Sequence, residues 1–278
     1  MPATCALCDD LRYRTRAGAR WAEAVVCSCQ DACKECGGTG RQRFDRPDGR
    51  VEFGTCSCRH LAARVQHFNR AHLPATYHSK RVERFDLADA TAAEARKAVL
   101  EFQARGKLGD RGLMLIGPPG VGKTHLLCGL LRFLVLERGM TARYVDSFQL
   151  LEELRQHFEL GKGASKLMEE VASVPVLGLD ELGKTRATGW QIEVLDQIVS
   201  RRYDGGLTTF VVTNYRIRPG EGGDPEPQLG GRRRAEVVAP KAAEESLQDR
   251  VGQRIFSRLV AMCRPMEIVA PDRRLKDG

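Results

Sequence analysis

The most chemically explicit stretch of this sequence is Gly117-Pro118-Pro119-Gly120-Val121-Gly122-Lys123-Thr124. It follows a fully apolar run, Gly112–Ile116, that reads as a buried strand, and it precedes a helical apolar pattern from His125 to Glu137. G-x-x-x-x-G-K-T between a strand and a helix is a phosphate-binding loop in its required context. The glycines let backbone N–H groups curl around phosphate, and the helix N-terminus adds its dipole. Residues Gly117 to His125 are thus the expected nucleotide-binding set. Lys123 is expected to reach the β- and γ-phosphates of ATP, and Thr124 to offer its hydroxyl to Mg²⁺. Ordinary residue frequencies would produce the pattern in roughly 1–2% of chains this long. A chance match placed between a strand and a helix is rarer still.

Two adjacent carboxylates form a second constellation. The apolar run Val174–Leu179 ends in Asp180-Glu181. A strand delivering two acids at its C-terminal end fits metal-assisted hydrolysis: Asp180 would hold the Mg²⁺ shell and Glu181 would polarise the attacking water. The plainer reading is an N-cap pair. Asn214, after the strand Leu207–Thr213, is placed to sense the γ-phosphate or orient water, although such a residue on its own is usually a turn former.

The third constellation is sulfur. Eight of ten cysteines lie in the first 58 residues, as Cys5-x-x-Cys8 with Cys27-x-Cys29, then Cys33-x-x-Cys36 with Cys56-x-Cys58. One module is written twice. Each supplies four soft ligands for a tetrahedral Zn²⁺, which leaves no open coordination position and so predicts structural, non-catalytic metal. A redox-active thiol cluster is the alternative, pairing across the modules stays open, and His60 could replace a thiol. Pro47-Asp48-Gly49 marks a turn between strand-like flanks within Arg41–Phe53, and Gly37, Gly38 and Gly40 permit N–H groups to approach the sulfurs. Residues 1–80 hold 13 Lys/Arg and 8 Asp/Glu. Eight thiolates binding two Zn²⁺ bring that segment close to neutral, which suits a protein partner as well as nucleic acid.

Positioning these groups takes alternating strands and helices. The order predicts an α/β fold with a parallel sheet flanked by helices. A helix is expected over His60–His72, ended by Leu73-Pro74, then an irregular connection over 75–90 and a helix over Thr91–Arg105. Gly183–Thr188 reads as a loop before a helix over Gly189–Tyr203. Gly/Pro-rich residues 216–245, with Arg232–Arg234, read as a loop whose arginines are a basic candidate for DNA phosphates. A helix over Ser246–Met262 would put Arg250, Arg254 and Arg258 on one face, and Met266–Val269 would close the sheet as an edge strand. Expected divisions are 1–60 for zinc, 61–90 for helix and linker, and 91–278 for the ATPase.

The 278 residues carry a net charge of +8 and 42% hydrophobic residues, enough for one full core and a small second unit. No apolar run approaches the ~18 residues of a membrane span. MPATCALCDD carries no secretory stretch, so a cytoplasmic protein is expected.

Taken together, GPPGVGKTH, VLGLDELGK, TTFVVTNY and RIFSRLVAMCRPMEI resemble the AAA+ ATPases of the DnaC/DnaI helicase-loader and IstB family. CKECGGTG, CSCRHLAARVQHFNRAHLPATY and the following RFD resemble the zinc-bearing N-terminal region of DnaC-like members, so the likeness runs from about Cys33 to residue 274. The resemblance implies an AAA+ P-loop NTPase lacking a C-terminal lid. It implies Lys123 and Thr124 as Walker A, Asp180 and Glu181 as Walker B, Asn214 as sensor 1 and Arg258 as the arginine finger. It further implies ATP, Mg²⁺, a replicative hexameric helicase of the DnaB type, single-stranded DNA, and self-association through the ATP site. An IstB-like helper acting on a transposase–DNA complex is the rival, as is a non-hydrolysing zinc adaptor. The doubled cysteine module departs from the family, where CKECGGTG usually occurs once, and that string also resembles DnaJ-type chaperone repeats.

Overall fold

A computed structural model describes residues 5–30, 33, 35–37, 39–87, 89–161, 163–186, 189–217 and 245–273. The Arg232–Arg234 cluster and Gly38 lie outside the described residues. In chain order the elements are β1 (Tyr13–Ala17), β2 (Ala22–Val26), β3 (Arg41–Asp45), β4 (Val51–Thr55), α1 (Ser57–Arg70), α2 (Ala90–Arg105), β5 (Gly112–Ile116), α3 (Lys123–Leu136), β6 (Ala142–Asp146), α4 (Ser147–Glu159), α5 (Ala164–Ser173), β7 (Val176–Leu182), α6 (Gly189–Asp204), β8 (Thr208–Thr213), α7 (Leu247–Val251), α8 (Gln253–Met262) and β9 (Cys263–Glu267).

Five strands form one sheet in the order β6-β7-β8-β5-β9, with every pairing parallel. Burial on both faces explains their continuous apolar character. Alternation along β5 sends Leu113 and Leu115 into one core with α1, α2 and α3, and Met114 and Ile116 into another with α4 to α8. Helix α3 is buried nearly all round, with Leu126, Leu127, Leu130, Leu131 and Leu134 all 1% exposed or less. A buried arginine ties the second layer to the sheet. Arg202 of α6 donates to the Val174 and Thr208 carbonyls at 2.7 Å and to the Thr209 hydroxyl at 2.9 Å.

Several elements differ from the sequence expectation. The strand expected over Val174–Leu179 begins at Val176 and runs through Leu182, so Asp180 and Glu181 lie within it, beside a register shift. Pro175 keeps the first residues out of the ladder. The helix expected over Ser246–Met262 breaks at Gly252 (φ 84°), which separates Arg250 from Arg254 and Arg258. Strand β6 and helices α4 and α5 have no counterpart among the elements expected from sequence. The irregular connection contains two single 3-10 turns, Ala75–Tyr77 and Val82–Arg84.

The two cysteine-bearing hairpins sit differently. Hairpin β1–β2 contributes Tyr13, Ala22 and Ala24 to the same buried cluster as α1 and α3. Its backbone is hydrogen-bonded to the end of α1 and to the segment beyond it. Ala22 N–H donates to Leu73 O at 2.7 Å, and Ala24 exchanges bonds with the Asn69 amide at 2.7 and 3.1 Å. Hairpin β3–β4 turns at Pro47-Asp48-Gly49 as expected, and its described residues add no side chain to either core. Its Phe53 is 68% exposed, beside exposed Phe44 and Val51.

Candidate functional site

The loop after β5 is built to receive an anion. Helix α3 begins at Lys123 with Gly122 as its N-cap (φ 98°) and no side-chain cap, so its N-terminus faces the loop that would hold a phosphate. Gly117 has φ 153°, and a Cβ there would stand 2.2 Å from the Ile268 carbonyl oxygen, so no other residue fits. Lys123 is 5% exposed, and its Nζ donates to the carbonyls of Gly117 and Pro118 at 2.7 Å, holding the ammonium inside the loop.

A cleft of about 310 Å³ gathers the remaining groups: Pro119, Gly120, Gly122, Lys123, Thr124 and His125 from the loop, Glu181 from β7, and Val212 and Asn214 from β8 and its end. The sheet order explains the convergence, because β8 lies directly between β7 and the strand that feeds the loop. Two lining residues fall within the family-like strings of the sequence but receive no role from them. Tyr77 comes from the first 3-10 turn, and Lys184 follows the tip of β7. His125 is half-buried, its Nε2 lies 3.0 Å from Arg81 O, and burial lowers its pKa.

Asp180 is 1% exposed. Burial pushes its pKa up, opposed by the Thr124 hydroxyl, the Glu181 N–H at 2.8 Å and the Tyr144 hydroxyl at 2.9 Å. Three donors on one buried carboxylate, with the Thr124 hydroxyl among them, fit the residues that would hold a Mg²⁺ shell. Glu181 has φ 56°, left-handed for a non-glycine, and its carboxylate pairs with Lys184 Nζ at 3.5 Å. Arg258 does not line the cleft. It lies 3.8 Å from Asp196, which also meets Arg254 at 3.3 Å, and its guanidinium rests over Tyr203. Arg250 pairs instead with Glu245 and stacks on Tyr215.

The cysteines converge as two quartets, Cys5, Cys8, Cys27, Cys29 and Cys33, Cys36, Cys56, Cys58, each with all sulfurs within 4.8 Å of one another. Pairing is within each module, and His60 belongs to neither. Sulfur separations of 3.6 Å for Cys8–Cys29 and Cys36–Cys58 and 3.7 Å for Cys33–Cys56 suit a tetrahedron with Zn–S of ~2.3 Å, whose edge is ~3.8 Å. The sulfurs are held unequally: burial pushes Cys8 and Cys58 up to about 12, whereas Cys36 and Cys27 are lowered. Gly40 N–H donates to Cys36 Sγ at 3.2 Å; against burial, that bond and the neighbouring thiols bring Cys36 down to about 6. Cys27 is lowered to about 7, chiefly by the Cys29 backbone N–H. The residues therefore fit two structural zincs.

Known proteins share this sequence pattern and this fold. A family model described as IstB-like ATP binding protein matches residues 56–217. The replicative helicase loader DnaC of Escherichia coli (strain K12) is 25% identical over 181 residues, covering 63% of this chain and 71% of that protein. YqaM of Bacillus subtilis (strain 168) is 29% identical over 99 residues, so the match takes in 34% of this chain and 31% of YqaM. Among solved structures, the crystal structure of the DnaC helicase loader superimposes with a TM-score of 0.55 at 26% identity, over 69% of this chain and 98% of that one.

Proposed function

The chain belongs to the IstB-like ATP-binding family, and from that premise we propose that it is a Mg²⁺-dependent ATPase that loads a ring-shaped replicative helicase onto DNA. The meeting of Lys123, Thr124, Glu181 and Asn214 in one cleft carries the ATPase part of this reading, and the likeness to the DnaC helicase loader supports the loading part. A glutamate beside the terminal-phosphate position suits hydrolysis rather than binding alone, which disfavours the non-hydrolysing adaptor. Lys123 anchors the β- and γ-phosphates, Thr124 and Asp180 hold the Mg²⁺ shell, Glu181 orients water, and Asn214 reports the γ-phosphate. Mg²⁺ held there by Thr124 and Asp180 would supply charge neutralisation for the phosphoryl group.

Arg258 lies outside its own cleft, on α8, so its service as an arginine finger requires a second subunit. ATP would then sit between copies of the chain, and hydrolysis would end the association. Residues 1–60 form the zinc-bearing part, 61–90 the helix and linker, and 91–278 the ATPase. Of the two zinc modules, the first packs on α1 and α3, while the second is joined to the start of α1 through Cys56 and Cys58 and leaves its hairpin β3–β4 exposed to meet the helicase. Single-stranded DNA is the nucleic-acid partner of the ATPase part, and the cytoplasm is the compartment.

The test is mass photometry of the zinc-loaded chain with the replicative hexameric helicase, in ATP and in ADP. ATP-dependent co-assembly, and helicase transferred to single-stranded DNA, would support the loader. Intact ATP hydrolysis without a helicase complex would move the assignment to the transposase helper.

A further inference from the structure

We propose that Lys184 is a second phosphate-directed cation of the cleft, parked on Glu181 and transferred to the terminal phosphate of ATP when nucleotide binds. The inference rests on the nucleotide-site reading above, and its position is fixed by geometry. Lys184 lines the same cleft as Lys123, Thr124, Glu181 and Asn214, so it borders the place where a γ-phosphate would stand. Its Nζ lies 3.5 Å from Glu181 Oε2, the one acidic partner among the described ion pairs of this lysine.

The turn that carries it is over-determined. Lys184 N–H donates to Glu181 O at 3.1 Å, Glu181 has φ 56°, and Gly183 has φ 83°. A Cβ on Gly183 would lie 3.1 Å from Tyr215 and 3.2 Å from Leu247, so the backbone of this turn is pressed against the residues beyond β8 and against α7. A left-handed glutamate persists only where its surroundings impose it, and here the imposed turn brings Glu181 and Lys184 to the cleft together. The side chains themselves are loosely held: Lys184 is 54% exposed and Glu181 32%. An exposed lysine–carboxylate pair gains little, and a flexible lysine stem lets the ammonium change partner. A terminal phosphate carries more charge than one carboxylate and offers more acceptor oxygens, so it outcompetes Glu181 for the ammonium. Glu181 is released at the moment when its carboxylate is needed by water. ADP has no phosphate at that position and leaves the pair closed.

Equilibrium binding of fluorescent ATP and ADP with Mg²⁺, together with steady-state turnover, tests this on the zinc-loaded full chain. Lys184→Ala is expected to weaken ATP about tenfold, the scale of one charge-assisted contact, while ADP affinity stays unchanged. The variant's kcat is expected to fall by a similar factor, and Lys184→Arg to retain most of both. Equal losses for ATP and ADP, or unchanged values, would overturn the proposal. A raised kcat with unchanged ATP affinity would also overturn it, by making Lys184 only a restraint on Glu181. If the wild-type chain binds ATP without turning it over, hydrolysis fails as a function, and the ATP-to-ADP affinity ratio of Lys184→Ala still decides the role of Lys184.

Discussion

Removing one oxygen from Tyr13 tests whether the first zinc module is part of the ATPase body. Tyr13 is 2% exposed, and its hydroxyl accepts from Arg132 Nη2 at 2.8 Å while donating to Glu137. Arg132 sits on α3, the helix that starts at the phosphate loop, and is itself 5% exposed. Its Nε has no hydrogen-bond partner among the described residues, so the tyrosine hydroxyl is a main compensation for a buried guanidinium. Tyr13→Phe keeps the ring and deletes the bond. Losing a hydrogen bond to a charged buried group costs about 1.5–3 kcal/mol. At about 2–4 °C per kcal/mol for domains of this size class, the midpoint should fall by roughly 3–12 °C. Differential scanning fluorimetry on zinc-loaded protein reads that shift, with zinc content checked on the same samples. Arg132→Met in the Tyr13→Phe background should recover part of the loss, because no buried charge is then stranded. A midpoint within about 1 °C of wild type, less than the smallest shift that bond should give, would refute the claim that this contact welds module to body.

The two cysteine quartets should behave unequally. Cys8→Ser is expected to release one zinc, lower the melting midpoint and weaken ATP binding, because its hairpin shares the α1–α3 core. Cys36→Ser should release one zinc and leave ATP binding unchanged while abolishing partner capture; elemental analysis, calorimetry and mass photometry separate the two, and identical phenotypes would contradict the asymmetry. Asp180→Asn should stabilise the nucleotide-free chain. Its folded pKa is raised, so the ionised form that prevails at neutral pH is disfavoured by folding, and this penalty disappears as pH falls and the carboxyl protonates. A higher melting midpoint is expected together with loss of Mg²⁺-dependent ATP affinity. A lower midpoint would sink the desolvation argument.

The chemistry of the site was legible because its residue types leave few alternatives. Gly117–Thr124 needs a strand before it and a helix after it, and β5 and α3 supply them within two residues of the expected bounds. The cysteine repeat identifies the eight ligands but leaves their pairing open, and the two hairpins bring them together within each module. Strand β6 was hidden by Arg143 and Asp146, whose polarity broke the apolar run, although Asp146 caps α4 through the Phe148 and Gln149 N–H groups. That cap, followed by Leu150, Leu151 and Leu154 at helical spacing, was a usable signal. The break at Gly252 is not legible in the sequence because the arginines at 250, 254 and 258 keep a helical period across it, while tertiary packing of Val251 and Ile255 decides the geometry. Tyr77 and Lys184 end the strings LPATY and VLGLDELGK, which assign neither of them a role at the nucleotide. They enter the cleft through a single 3-10 turn and a left-handed glutamate, features that only backbone geometry reveals.

The central claim is that this cleft hydrolyses ATP through Glu181, and release of phosphate from Mg²⁺-ATP by the purified zinc-loaded chain and by Glu181→Gln tests it most directly. The wild type should turn over, and Glu181→Gln should bind ATP at least as tightly while losing about 10²-fold or more in kcat, as expected for a general base. Turnover by Glu181→Gln at the wild-type rate would contradict the assignment.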